Sequence, residues 1–293
     1  MIKSGRSSRP TMTALQRENL ASLTEAEFNY ICQFVYKSAG IVLNDAKREM
    51  VYRRLTRIVR DRKLRSFSSY CQLLKENPKQ EERYFINAIT TNLTSFFREQ
   101  HHFYFLSQHE LPRLLKAKKG NNRIRIWSSA CSTGEEPYSI AITLLEALGS
   151  QSTYWDAKIL ATDIDSNVVA KGKAGVYAKQ SIEEVSNDLK KNYFEKGRDQ
   201  LSEYVRARNT LQKLITFKQL NLLEPWPMQG LFDIIFCRNV IIYFDKCTQS
   251  TLFERYYNVL APGGILVLGH SENLGEYQQY FERVGRTIFR KPF

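Results

Sequence analysis

No stretch of this 293-residue chain reaches the roughly 18 to 20 uninterrupted apolar residues that a membrane-spanning helix requires, so no membrane insertion is expected. The opening residues, Met1-Ile2-Lys3-Ser4-Gly5-Arg6, lack the apolar centre of a signal peptide, which points to a cytoplasmic protein. The five cysteines, at 32, 71, 131, 237 and 247, are odd in number and show no C-x-x-C spacing. That excludes a disulfide framework and a zinc-thiolate site and leaves reduced thiols. Cys131 and Cys237, beside the candidate site below, read as small residues that pack tightly. The four histidines (His101, His102, His109 and His270) have neither ligand nor triad spacing, so they read as structural and no metal is expected. Internal repeats and low-complexity segments are absent. So is G-x-G-x-x-G, the dinucleotide fingerprint.

What is present begins with 43% hydrophobic residues, enough for one large domain and a smaller one. The most informative stretch is Ser128-Ser129-Ala130-Cys131-Ser132-Thr133-Gly134-Glu135-Glu136-Pro137. It follows a strand-like run, Arg123 to Trp127, and precedes a helix-like one, Tyr138 to Leu148. Small residues at such a turn let a ligand approach the backbone closely. Two carboxylates at the helix start suit a cationic ligand, and S-adenosylmethionine carries both an ammonium and a sulfonium. The same residues also spell a capping box, Thr133-x-x-Glu136, which needs no ligand. A second strand, Ala157 to Asp165, ends in acid, where Rossmann-like folds grip a ribose diol. The Gly134 to Asp163 interval is longer than the roughly 20 residues of the NAD fingerprint. Either aspartate is also placed to cap the helix from Asn167, Asp165 the better. Further strands are expected at Leu214–Phe217, Phe232–Phe236 and Ile265–Gly269, with a helix from about Cys247 to Leu260. Strands alternating with helices, and polar clusters past the strand ends, predict an α/β protein with a parallel sheet and a ligand at its carboxyl edge.

Four motifs, in order, carry a resemblance: Thr91-Asn92-Leu93-Thr94-Ser95-Phe96-Phe97-Arg98, Ser132-Thr133-Gly134-Glu135-Glu136-Pro137-Tyr138-Ser139, Ala161-Thr162-Asp163-Ile164-Asp165, and Cys237-Arg238-Asn239-Val240-Ile241-Ile242-Tyr243-Phe244. From about Phe28 to the C-terminus the chain resembles the CheR family of chemotaxis receptor glutamate O-methyltransferases. The resemblance implies a Rossmann-like class I S-adenosylmethionine-dependent methyltransferase sheet, a small N-terminal helical domain and an inserted antiparallel β-subdomain. It implies S-adenosylmethionine as donor, S-adenosylhomocysteine as product, and glutamates of chemoreceptor cytoplasmic helices as acceptors. It also implies a monomer, recruited to receptor clusters at the inner membrane. Arg98 and Tyr243 would surround the reacting groups. Asn92, Thr94 and Arg98 would meet the sulfonium and methionine end, and Glu136 the ammonium, chosen over Glu135 by the motif's register. Asp163 would take the ribose, Asn221 with Leu222 the adenine side, and Arg238 with Asn239 the pocket wall. Ser95 departs from the alanine of many relatives, but both are small.

The organisation read from the chain is a flexible tail (1–20), a helical domain (21–76) broken at Gly40 and Asn44-Asp45, a linker and helix (77–95), and a methyltransferase domain (96–293). Within the last, about 175–212 reads as the β-subdomain, which in some relatives adds a receptor's C-terminal tail as an extra strand. Charge is uneven. Residues 1–120 hold 22 Lys and Arg against 11 Asp and Glu, the remainder 21 against 19, so the N-terminal part meets the acidic partner. In its densest run, Lys47 to Arg65, Val51, Leu55, Ile58 and Val59 share one helical face. Arg53, Arg57 and Arg60 lie opposite, with Arg54 on a flank and only Glu49 and Asp61 to neutralise them. These arginines are the candidate receptor contacts. Nucleic acid is the other acidic partner charge alone allows, but the Asn-Pro-Pro-Tyr-like turn common in amino-group methyltransferases is replaced here by Arg238-Asn239-Val240-Ile241, and none is expected. A glutamate acceptor is ionised at neutral pH and needs no general base, so the enzyme must supply alignment and exclusion of water.

Overall fold

The computed structural model describes residues 22–293, and the tail read at 1–20 lies outside them. Four helices come first: α1 (Glu25–Ala39), α2 (Arg48–Asp61), α3 (Phe67–Glu76) and α4 (Pro78–Ile89). Thr24 opens α1 with a reciprocal capping box to Glu27, and left-handed Gly40 closes it. As the periodicity requires, Val51, Leu55, Ile58 and Val59 are the buried face of α2. They meet Phe28, Ile31 and Val35 of α1 and Tyr70 and Leu74 of α3 in one core. Each such side chain contributes roughly 1.5–3 kcal/mol of burial. Helix α4, which the sequence reading set with the linker, adds Phe85, Ile86 and Ile89 to that core.

The second part opens with α5 (Gln100–Phe105) and α6 (Leu111–Ala117). Then β1 (Arg123–Ser128), α7 (Glu135–Leu148), β2 (Asp156–Asp163) and α8 (Ser166–Ala174) alternate. An insertion holds β3 (Val176–Ala178), α9 (Asn187–Tyr193), β4 (Phe194–Lys196), β5 (Tyr204–Ala207) and α10 (Asn209–Gln212). The chain continues through β6 (Ile215–Gln219), β7 (Phe232–Cys237), α11 (Lys246–Val259), β8 (Leu260–Leu268), β9 (Glu282–Gly285) and β10 (Ile288–Arg290). Seven strands form one sheet in the order β6-β2-β1-β7-β8-β10-β9. The first five are mutually parallel, and β10 runs antiparallel to both neighbours. That mixed edge, with the flanking helices, is the Rossmann-like methyltransferase architecture expected. The central strands are mostly buried, as two covered faces demand: every residue of β7 is buried, Asp233 included, and β1 is buried from Ile126 to Ser128. The insertion forms a separate antiparallel sheet, β3-β5-β4, where the β-subdomain was expected. Phe96 joins it to the main core, packing edge-on against Tyr177 and Phe194.

Candidate functional site

The carboxyl ends of β1, β2, β6 and β7 open onto a cavity of about 210 Å³, where the strand order reverses between β1 and β7. Residues 39–50 of the helical part roof it, and the 89–94 segment forms one side. Asn92, Thr94, Arg98, Glu136, Asp163, Asn221, Leu222, Arg238, Asn239 and Tyr243 all line this one cavity; Arg53, Arg57 and Arg60 do not.

The floor is built by the β1 and β2 ends. Ser132, held at φ 48°, donates its backbone N–H to Asp163 Oδ2 (2.8 Å), and Asp165 N–H donates to Asp163 Oδ1 (3.0 Å). Burial pushes the Asp163 carboxyl up to about 6, with those amides opposing and Asp165 adding repulsion. Asp165 is the helix cap: its Oδ1 accepts from Asn167 N–H (2.9 Å). Its Oδ2 accepts from Asn92 Nδ2 (2.8 Å) and Thr90 Oγ1 (3.0 Å), so the cap also anchors the cavity's side wall.

The capping box read at Thr133 and Glu136 does not form. Gly134, at φ 100°, is the N-cap of α7, and Thr133 Oγ1 donates to Glu135 instead (2.6 Å). The left-handed turn moves the helix start one residue on, so Glu136 falls a position short of the box and faces inward. Only glycine fits there, because a Cβ would sit 2.7 Å from the Tyr177 hydroxyl and 2.9 Å from Gly172 Cα. Glu136 instead accepts from Ser128 Oγ (2.7 Å) and from Arg238 Nη1 (2.8 Å). Burial pushes its carboxyl up, and Arg238 and Ser128 pull the other way.

Arg238, itself buried, is the hub of the wall. Its Nη2 donates to the Arg98 carbonyl (2.5 Å) and lies 3.5 Å from Glu99 Oε2. Burial alone would raise Glu99, but Arg238, with His270, His102 and Asn239, brings it down to about 2. Arg98 Nη1 donates to the Leu93 carbonyl (2.7 Å), folding the guanidinium over its own loop. Among the described residues eight non-glycines have positive φ, and Phe97, Glu99, Ser132 and Asn239 of these stand in or beside the cavity wall. Backbone strain concentrated at one place marks a site that its surroundings over-determine.

On the far wall, half-buried Tyr243 ends a short turn, Ile241–Tyr243, and its carbonyl accepts from Val42 N–H of the roof (2.8 Å). Asn221 spends both ends of its amide structurally: Nδ2 donates to the Ser38 carbonyl (2.8 Å) and Oδ1 accepts from Leu223 N–H (3.1 Å). It ties the roof down, while Leu220, Leu222 and Ile164 give that end of the cavity its apolar surface. Cys131 and Cys237 are buried free thiols outside the lining, both pushed up by burial. Glu99, His101 and His102 bring one ligand-type atom each within 4.8 Å of one another. The Arg238 guanidinium already supplies positive charge to that cluster, and burial pushes His102 down to about 3, leaving it neutral.

Sequence reasoning gave Ser128 no role of its own within the turn it singled out, and passed over Glu99 and Glu272. Glu272 is buried past the end of β8 and accepts three backbone N–H groups at the β7 end and a fourth from Gly269, beside its own strand. A local signal existed for Glu99, directly after Arg98. None existed for Glu272, whose partners in the β7 turn lie about thirty residues away.

The donor set suits S-adenosylmethionine: two buried carboxylates for a diol and an ammonium, and an apolar end for a flat base. Fold and site together define an α/β methyltransferase. Comparison with known proteins narrows the class. Residues 92–290 match the family model "CheR methyltransferase, SAM binding domain", and residues 26–90 match "CheR methyltransferase, all-alpha domain". The chain is 43% identical to the chemotaxis protein methyltransferase of Salmonella typhimurium over 281 residues, covering 95% of this chain and 94% of that one. It is 42% identical to that of Escherichia coli K12, with 95% of each covered, and 35% identical to that of Borreliella burgdorferi, with 86% and 90% covered. The chain belongs to the CheR family and is an S-adenosylmethionine-dependent methyltransferase.

Proposed function

We propose that the protein methylates glutamate side-chain carboxylates of chemoreceptor cytoplasmic helices, giving the methyl esters used in chemotactic adaptation. One observation carries the reading: Arg98 and Tyr243 share a cavity whose floor holds Glu136 and Asp163, and no histidine lines it. An ionised acceptor needs a cation and a hydroxyl to align it, and no base. When bound, S-adenosylmethionine supplies the electrophilic methyl. Asp163 would hold the ribose and Glu136 the ammonium, with Asn92 and Thr94 at the methionine end and Leu222 beside the base. Arg238 and Asn239 close the wall. Arg98 would steer the acceptor carboxylate, and Tyr243 would orient it and keep water out. No metal enters this scheme.

Outside the cavity, the Arg53 and Arg57 side chains are 75% and 87% exposed on the face of α2 opposite its core. With exposed Arg60 they form a cationic strip for an acidic helix. β3 and β4 are the edge strands of the small sheet, and either would take a receptor tail as a further strand. No helix among the described residues is long and apolar enough to cross a membrane, and we place the enzyme in the cytoplasm, as a monomer drawn to receptor clusters.

The test is incubation with methyl-labelled S-adenosylmethionine, receptor cytoplasmic fragment and RNA. Base-labile label on the receptor supports the reading. Base-stable label on the receptor overturns it; label in RNA overturns it and makes the basic helical part a nucleic-acid grip.

A further inference from the structure

We infer that Glu272 is a positioning residue for methyl transfer: its carboxylate fixes the turn that carries Tyr243. The inference rests on the reaction proposed above, in which the tyrosine orients the acceptor.

The turn after β7 has irregular backbone. Asn239 sits at φ 56° and Val240 at φ −127°, ψ −34°. Their amides therefore have no place in a helix or sheet ladder, yet they are partly buried beside the cavity and need acceptors. Glu272 supplies them. Its Oε1 accepts from Val240 N–H (2.9 Å) and Ile241 N–H (2.8 Å), and its Oε2 from Asn239 N–H (2.9 Å) and Gly269 N–H (2.7 Å).

The requirement for a carboxylate is stoichiometric. Two ionised oxygens offer about four acceptor sites, whereas a glutamine amide offers one oxygen and turns an NH2 toward two N–H groups. Gly269 makes room, since a Cβ there would lie 2.6 Å from Asn239 Nδ2 and 2.7 Å from Glu272 Oε2. From this anchor the chain needs one short turn to reach the tyrosine: Tyr243 N–H donates to the Val240 carbonyl (3.1 Å), closing Ile241–Tyr243. The roof holds the other side of that turn through Val42. Glu272 is only 5% exposed and lines no part of the cavity, so it acts through Tyr243 and touches no ligand.

The experiment compares wild type, Glu272→Gln, Tyr243→Phe and the double variant in full-length protein. Three readouts are used: steady-state transfer to receptor fragment, calorimetric affinity for S-adenosylmethionine, and fluorine NMR of 3-fluorotyrosine-labelled protein, with the Tyr243 signal assigned by its loss in Tyr243→Phe. Glu272→Gln is expected to lower kcat about tenfold while the Kd for S-adenosylmethionine stays within about threefold, and to lower kcat less than about twofold when Tyr243 is already phenylalanine. The Tyr243 resonance should shift or broaden, while the other fifteen of the sixteen tyrosines keep theirs except near the turn. Should Glu272→Gln fail to fold, Gly269→Ala displaces the same carboxylate from the other side and should give the same non-additivity and the same resonance change. A kcat within about twofold of wild type, even with a lowered Tm, or a loss equally large in the Tyr243→Phe background, would overturn the inference. If wild type esterifies no carboxylate, the proposed reaction fails while the fluorine signal still judges Glu272: an unmoved Tyr243 resonance sinks it.

Discussion

At Asp163, burial sets a carboxyl whose charge is lost in mildly acid solution, near pH 6. Its folded pKa lies above the ordinary value, so between about pH 4 and 6 the folded chain holds a proton the unfolded chain has released. Stability from this group therefore falls as pH rises through that window. Cofactor binding, in which the proposed reading has the ionised acid accept from the ribose, runs the other way. Affinity for S-adenosylmethionine should drop about tenfold from pH 7 to pH 5, and Asp163→Asn should bind weakly and lose most of that dependence; calorimetry across pH reads both. Asp163→Ala should cost about 1.5 to 3 kcal/mol of binding, the loss of a charged acceptor, and unchanged affinity in the folded variant would leave the residue a purely structural acceptor for two amides. Tyr243→Phe should keep cofactor affinity and lower turnover, since only the hydroxyl is lost. Wild-type turnover in that variant would make Tyr243 a packing residue. Asp163 was legible because a strand end followed by acid is a local pattern. Glu272 was not, because its role comes from the 239–241 amides, which only the folded chain brings near; Glu99 had only its place beside Arg98 to mark it, its partner Arg238 being distant in sequence.

Among the elements, α2 shows how periodicity and charge are read together. Its buried stripe was legible residue by residue, because a 3.6-residue repeat fixes which side chains share a face. Its electrostatics were legible only in part: Glu49 pairs with Arg53 at 2.9 Å and Asp61 reaches Arg57 at 3.8 Å, while no ion pair reaches Arg60 among the described residues. Both pairs are highly exposed, so they are worth little and yield readily to a receptor. Arg53→Glu with Arg57→Glu should raise the KM for receptor and leave cofactor affinity unchanged. The effect should shrink with salt, because exposed charges are screened beyond about 8 Å at physiological ionic strength. A KM unmoved at low salt would make this a solvated face. The start of α7 was misread for a different reason: a capping-box pattern gives spacing, but left-handed Gly134, forced by the closeness of Tyr177 and Gly172, decides which residue begins the helix.

In the whole molecule, the cavity exists because the helical part is seated on the sheet's carboxyl edge. Ser38 accepts from Asn221, Val42 donates to Tyr243, and the Tyr36 hydroxyl donates to Asp245 at 2.6 Å. Gly40 sits in that seam at φ 68°, where a Cβ would meet Leu223 at 2.7 Å and Phe244 at 3.3 Å. Gly40→Val should therefore lower Tm and weaken S-adenosylmethionine binding together, by about 1 kcal/mol or more each; normal affinity in a destabilised variant would show that the roof is not part of the binding site. The sheet order was within reach of the sequence, because alternating strands and helices admit few topologies. The seam was not, because Ser38, Gly40 and Val42 carry no pattern that names Asn221 or Tyr243 as partners. The most direct measurement is mass-spectrometric mapping of the methyl groups on a receptor cytoplasmic fragment after incubation with enzyme and S-adenosylmethionine. Methyl esters confined to glutamates of its acidic helices, removed by mild base and absent when those glutamates are replaced by alanine, are the expected result; methyl groups on nitrogen, or none on the fragment while another substrate is modified, would contradict it.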